Sequence, residues 1–174
     1  AGRALLSEYV LTGILQESGD RLRVSVQLVR SQDGAPVWGD HYDVARSDLL
    51  TLQDQIAQSV AEALKVQMTA AERERLFRRY TENAAAYERY LEGRAQLSRY
   101  TPESVRASIG TFEEALKLDP GYAPARAGVA LASAMMRLRF APGSETRAWS
   151  ERAEREARAA LQLDPQLAEA HEAL

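Results

Sequence analysis

Cysteine is absent from all 174 residues. That removes disulfides, thiol nucleophiles and cysteine-ligated zinc. It leaves the redox compartment open, with a cytoplasmic setting favoured over a periplasmic one. Histidine is nearly absent too: His41 and His171 stand far apart. No G-x-G-x-x-G or G-x-x-x-x-G-K-[ST] occurs, so a phosphate-cradling loop has no support. No G-x-S-x-G occurs, so hydrolase chemistry lacks its nucleophile elbow. No apolar run approaches the roughly 18 residues of a membrane span, and Ala1 to Leu6 lack the apolar core of a signal peptide. Charge of one sign is also missing. The chain carries 22 basic and 25 acidic residues for a net −3, and neither half forms the basic arm of a nucleic-acid binder. The expectations are no catalysis, no cofactor, no metal, no nucleic-acid partner and no membrane segment for this chain.

What is present is a globular composition, 45% apolar and 27% charged. The length suits one ordinary domain or two small ones. The chain opens on Ala1 rather than Met and stops at Leu174 within an apolar-periodic stretch, so it is expected to be a fragment of a longer protein.

The periodicity changes near residue 46. Tyr9 to Gln16 is rich in strand formers, and Glu17-Ser18-Gly19-Asp20 is a turn cluster. Arg21 to Arg30 then alternates, with Leu22, Val24, Val26 and Leu28 on one face, the period of a half-buried strand. Asp33-Gly34 is a turn signal before a third alternating run, Val37 to Tyr42. Short turns between successive strands predict an antiparallel meander covered on one face by helix, with Trp38 in the core. From Ser47 the period is helical: Leu49, Leu52, Ile56, Val60 and Leu64 form one stripe. Ser47 is the predicted N-cap. Thr69-Ala70-Ala71-Glu72 has capping-box spacing and predicts a further helix, extending through the charged run Arg73 to Arg79.

After Tyr80 the chain repeats. Ala115-Leu116-Lys117-Leu118-Asp119-Pro120 returns as Ala160-Leu161-Gln162-Leu163-Asp164-Pro165. Proline ends each helix and restricts the residue before it. The pattern predicts stacked helical hairpins, each burying its face on the next. On these residues, the chain from about 84 resembles tetratricopeptide repeats. The resemblance places Gly93 and Ala130 at small first-helix positions where two helices cross. It places Phe112, Ala115, Ala153 and Ala160 on the second helices, with Pro120 and Pro165 as the closing prolines. Two departures stand out. The first unit is about three residues too long around Thr101-Pro102-Glu103. The second is about eleven too long, near Phe140 to Ser144, and carries Ala157 where an aromatic is usual and Ser133 where a tyrosine is usual.

Residues 1–68 resemble a second family. Tyr9-Val10-Leu11-Thr12-Gly13, Arg21-Leu22-Arg23-Val24, Gln27-Leu28-Val29, Val37-Trp38 and Leu52-Gln53-Asp54-Gln55-Ile56 are similar to the later part of TolB-like amino-terminal domains. The two resemblances together imply an α+β segment followed by an all-α one. A partial α/β domain of antiparallel strands plus a covering helix occupies 1–68, a linker helix 69–83, and a superhelix of about two repeat hairpins and the start of a third 84–174. This arrangement resembles the sensory or regulatory half of bacterial multidomain regulators, whose outputs include adenylate or guanylate cyclases, winged-helix DNA-binding domains and kinases.

The candidate sites follow from that register. Asp40-His41-Tyr42-Asp43 has the residue types of a metal or acid–base cluster, but strand alternation puts His41 opposite Asp40 and Tyr42. The arginines at 73, 75, 78 and 79 are interleaved with glutamates and read as a solvated helix face. Tyr87, Tyr90, Arg94 and Leu97 match groove-facing positions of the first repeat helix; Pro124, Ala127, Leu131 and Ala134 are their counterparts in the second. Tyrosine packing against the linker helix remains as good a reading as ligand contact. The Lys and Asn that the family uses to clamp terminal carboxylates are missing. The resulting expectation is a non-catalytic regulatory module holding a protein or peptide partner, with self-association through the open third hairpin at Ala168 to Leu174. The alternative is a small-molecule-sensing region in front of a cyclase or DNA-binding output.

Overall fold

A computed structural model describes residues 7–65, 69, 74 and 78–174. It divides into two compact units, 1–78 and 79–174. Together they make a mixed α+β chain, an antiparallel sheet followed by helices.

The first unit is a meander of β1 (Tyr9–Ser18), β2 (Arg21–Arg30) and β3 (Pro36–Ala45), in the order β1-β2-β3 with both pairings antiparallel. Its hairpins turn at Gly19 and Gly34, whose φ of +58° and +73° lie in the left-handed region that side-chain-bearing residues avoid. The Asp33 carboxylate accepts the Ala35 N–H at 3.0 Å and fixes the second turn. Register sets Leu11 opposite Leu28 and Leu28 opposite Trp38, so one face is apolar across all three strands. The helix α1 (Leu49–Ala63) covers that face: Leu52 is buried, as are Leu22, Val26 and Leu28. On the other face Arg21 and Arg23 converge on Asp43, and the hydrogen bond from Arg21, then that from Arg23, holds its carboxyl below the ordinary range.

Two expectations are corrected here. Trp38 is half-buried rather than core, because β3 is an edge strand with a neighbour on one side only. Ser47 does not cap α1. A 3-10 turn (Arg46–Asp48) follows β3, Asp48 takes the N-cap position without a side-chain bond, and the Ser47 hydroxyl donates to Asp48 at 3.2 Å. The extended backbone at Ala45 feeds directly into that tight turn, so the residue with capping chemistry is used one step too early.

Residues 70–72 of the capping-box segment and most of the predicted linker helix lie outside the described residues; 78–83 is irregular chain. The second unit then runs α2 (Ala84–Leu97), α3 (Pro102–Leu118), α4 (Ala123–Met135), α5 (Thr146–Leu163) and the short α6 (Ala168–Glu172). Local chemistry starts them. The Asn83 side chain accepts the Ala86 N–H ahead of α2, and Thr101 and Ser104 exchange reciprocal bonds ahead of α3, with Pro102 in its first turn. The repeated Leu-Asp-Pro stops them. Asp119 and Asp164 are both extended, at φ −145° and −143°, as a residue before proline prefers. Each carboxylate accepts the N–H two residues on at 3.0 Å, from Gly121 and from Gln166, an Asx turn that carries the chain into the next helix. Asp164, buried at 3% exposure, also receives the Tyr80 hydroxyl at 2.8 Å.

Successive helices pack in antiparallel pairs, α2 on α3 and α4 on α5. The core centres on Phe112, fully buried with Val105, Ile109, Val129, Ala132 and Met136. Its ring is held between two glycines: a Cβ at Gly93 would lie 2.6 Å from it, and one at Gly128 2.8 Å. One unit later the small Ala157 replaces the aromatic, and Ala130 packs against it where the first unit needs glycine. Beyond Met135 the chain continues α4 through a π-helical turn (Met136–Phe140) and a loop. Phe140 and Trp149 close over the core there. Ser133 is fully buried and donates to the Val129 carbonyl at 2.7 Å.

Candidate binding groove

The first helix of each of the two hairpins, and the short α6 after them, turn a stripe of side chains toward one concavity. On α2 the stripe is Tyr90, Arg94 and Leu97; on α4 it is Pro124, Gly128, Leu131 and Met135; on α6 it is Glu169 and Glu172. Spacings of three and four residues keep each stripe on one helix face. The groove they enclose measures about 330 Å³. Tyr100, in the turn after α2, stands at its mouth with φ +56° and 61% exposure. That left-handed conformation is uncommon for an aromatic residue.

Tyr90 is the anchor of the α2 wall. Its ring lies 5.2 Å from that of Tyr122 and 6.0 Å from that of Phe112, both tilted. The Arg94 guanidinium lies over the same ring at 5.9 Å, a cation–π contact. Burial pushes the Tyr90 phenol above its usual value, against the pull of Arg94. Burial pushes the neighbouring Tyr122 phenol up further still.

Of the sequence-predicted groove residues, Tyr90, Arg94, Leu97 and Leu131 come together here, with Pro124. Tyr87 is not in this lining; it packs beside Ala86, Ala115, Tyr122 and Ala125. Ala127 and Ala134 are buried in the helix packing instead. The sequence reading missed Gly128, Met135, Glu169 and Glu172. A signal for the glutamates existed: adding the 45-residue offset between the two prolines to Pro124 and Ala127 lands on Glu169 and Glu172.

The first unit holds an apolar cleft of about 620 Å³ between the sheet (Leu11, Leu15, Val24) and α1 (Leu49, Ile56, Val60). Leu11 and Leu15 are 46% and 55% exposed, because α1 does not reach across β1. The Asp40–Tyr42 stretch splits as alternation requires. His41 pairs with the Ser25 hydroxyl at 2.9 Å, and Asp40 accepts the His41 backbone N–H. Among the described residues no group of three His, Asp or Glu side chains is gathered to hold a metal ion. No described helix is long and apolar enough to cross a membrane.

No family model matches the chain. Over 129 residues it is 27% identical to a protein of Rhizobium meliloti (strain 1021) named "Putative adenylate cyclase 3". The match covers 74% of this chain and 22% of that protein. The chain thus corresponds to a minor part of a much longer relative.

Proposed function

We propose that this chain is a non-catalytic regulatory segment of a bacterial signalling protein, and that its helical unit holds a protein or peptide segment. In this reading residues 84–174 are tetratricopeptide repeats and residues 1–68 are the later part of a TolB-like domain, joined through 69–83. The observation that carries the binding role is the groove itself. The first helices of two hairpins and the short α6 each contribute a stripe to one concave surface, the kind of surface on which helical repeat proteins receive partners. A neutral, half-buried tyrosine and an arginine stacked on it suit anchoring rather than chemistry. The signalling context is supported by the name of the Rhizobium meliloti relative.

Capture from extracts of the source cells, compared between the native chain and Arg94→Ala combined with Leu131→Ser, tests the reading. The native chain should retain a partner that the variant loses. Equal capture by both, or cyclic-nucleotide synthesis by the 174-residue chain itself, refutes it.

The 620 Å³ cleft of the first unit favours a second reading, a seat for an apolar small molecule, since its volume is that of ligand pockets.

A further inference from the structure

The groove is graded in polarity from one wall to the other, and the grading says what crosses it. The α2 wall carries Arg94, fixed over Tyr90. The middle, on α4, is apolar: Leu131 and Met135. The α6 wall carries Glu169 and Glu172, one helical turn apart and both exposed. Among the described residues neither glutamate is within ion-pairing distance of a cation, a state they share with Glu103 and Glu145, whereas Glu82, Glu92, Glu113, Glu151, Glu154 and Glu156 of this unit are paired with arginines. Arg94 likewise has no carboxylate partner among the described residues; its contact is with Tyr90, over the ring and toward the phenol. A cation at one wall and two carboxylates at the other, left unmatched beside an apolar floor, complement a charge-polarised chain.

We infer that the groove takes an extended peptide segment with an acidic residue at the α2 wall, an aliphatic side chain on Leu131 and a basic residue at Glu169 and Glu172. This deepens the partner-binding reading above and rests on it. Spacing sets the sequence length. Packed helices lie about 8–10 Å apart and an extended chain advances about 3.3 Å per residue, so about three residues separate one wall from the next. The occupant therefore follows the pattern acidic-x-x-aliphatic-x-x-basic in either chain direction. Apolar contact on α4 supplies the attraction, and the two charged ends set the register and exclude segments of uniform sign.

The test titrates the ¹⁵N-labelled chain with three blocked heptapeptides at low salt: Glu-Ser-Ser-Leu-Ser-Ser-Lys, the same peptide with Glu at both ends, and the same with Gln at both ends. The polarised peptide should shift the amides of Leu131, Glu169 and Glu172 and bind about fivefold more tightly than the other two. Glu169→Gln with Glu172→Gln, both at exposed positions, should remove the preference over the peptide with Glu at both ends, while the acidic end on Arg94 keeps part of the preference over the Gln peptide. Equal affinity for all three peptides at the same amides overturns the charge order and leaves the groove reading standing. No shift at these amides with any peptide at millimolar concentration overturns both.

Discussion

Phe112 shows how a single residue dictates its neighbours. A phenylalanine this deeply buried leaves space for only a hydrogen atom at Gly93 and at Gly128, from opposite helices. The ring has no retreat, since moving off one glycine drives it onto the other. Gly93→Ala is therefore expected to destabilise the helical unit by about 1–3 kcal/mol. Pairing it with Phe112→Leu should cost clearly less than the sum of the two single changes, because the shorter side chain vacates the contested volume. Chemical denaturation of the four proteins of that cycle measures this, and strict additivity would contradict the contact. The same residue scale governs pH. Tyr90 and Tyr122 hold their protons more tightly folded than unfolded, through burial. Above about pH 10, where an unfolded tyrosine ionises, the unfolded chain binds fewer protons than the folded one, so stability falls as pH rises. It is fully present below that point. Helical circular dichroism against denaturant at pH 8 and pH 11 should show the loss; identical midpoints would count against the buried phenols.

At the scale of elements, the helix ends repay attention. Leu-Asp-Pro occurs twice with one backbone geometry and one Asx turn, yet the two aspartates differ in burial. Asp164 is closed over and also accepts the Tyr80 hydroxyl, which ties the irregular chain before α2 to the end of α5. Asp119 is only half-buried. Asp164→Ala removes both the turn acceptor and the acceptor of the Tyr80 hydroxyl and should cost about 1–3 kcal/mol, against about 1 kcal/mol or less for Asp119→Ala, which removes the turn acceptor alone. Thermal melts of the two variants give the comparison, and equal losses would mean that Tyr80 contributes nothing. The long second unit follows the same logic of compensation. Beyond Met135 the chain leaves the α-helical ladder through a π turn, with the Ala141 N–H reaching back to Met136 at 2.8 Å, and Phe140 and Trp149 then fold onto the core.

At the scale of the whole molecule, every apolar cluster of the helical unit is drawn from residues 80–173. Residues 79–174 expressed alone should therefore melt cooperatively with helical circular dichroism. A broad, non-cooperative transition would show that the unit depends on the rest of the chain. Much of this was legible in the sequence. Alternation at Leu22 to Leu28 and the stripe from Leu49 to Leu64 reveal the sheet and its covering helix, because period 2 and period 3.6 are local consequences of backbone geometry. Leu-Asp-Pro marks the helix ends, because proline acts on its immediate neighbours. The rest depended on contacts between residues far apart in the chain. Ser47 has the chemistry of a cap, but a 3-10 turn claimed its position. Trp38 has the alternation of a core residue, but lies on an edge strand. Tyr87 and Tyr90 share a helix, yet Tyr90 lines the groove while Tyr87 packs beside Ala115 and Tyr122. The gathering of Arg94, Leu131 and Glu169 from three helices was decided only by how the hairpins stack, since side-chain packing between helices, not periodicity within one, sets which stripes face each other.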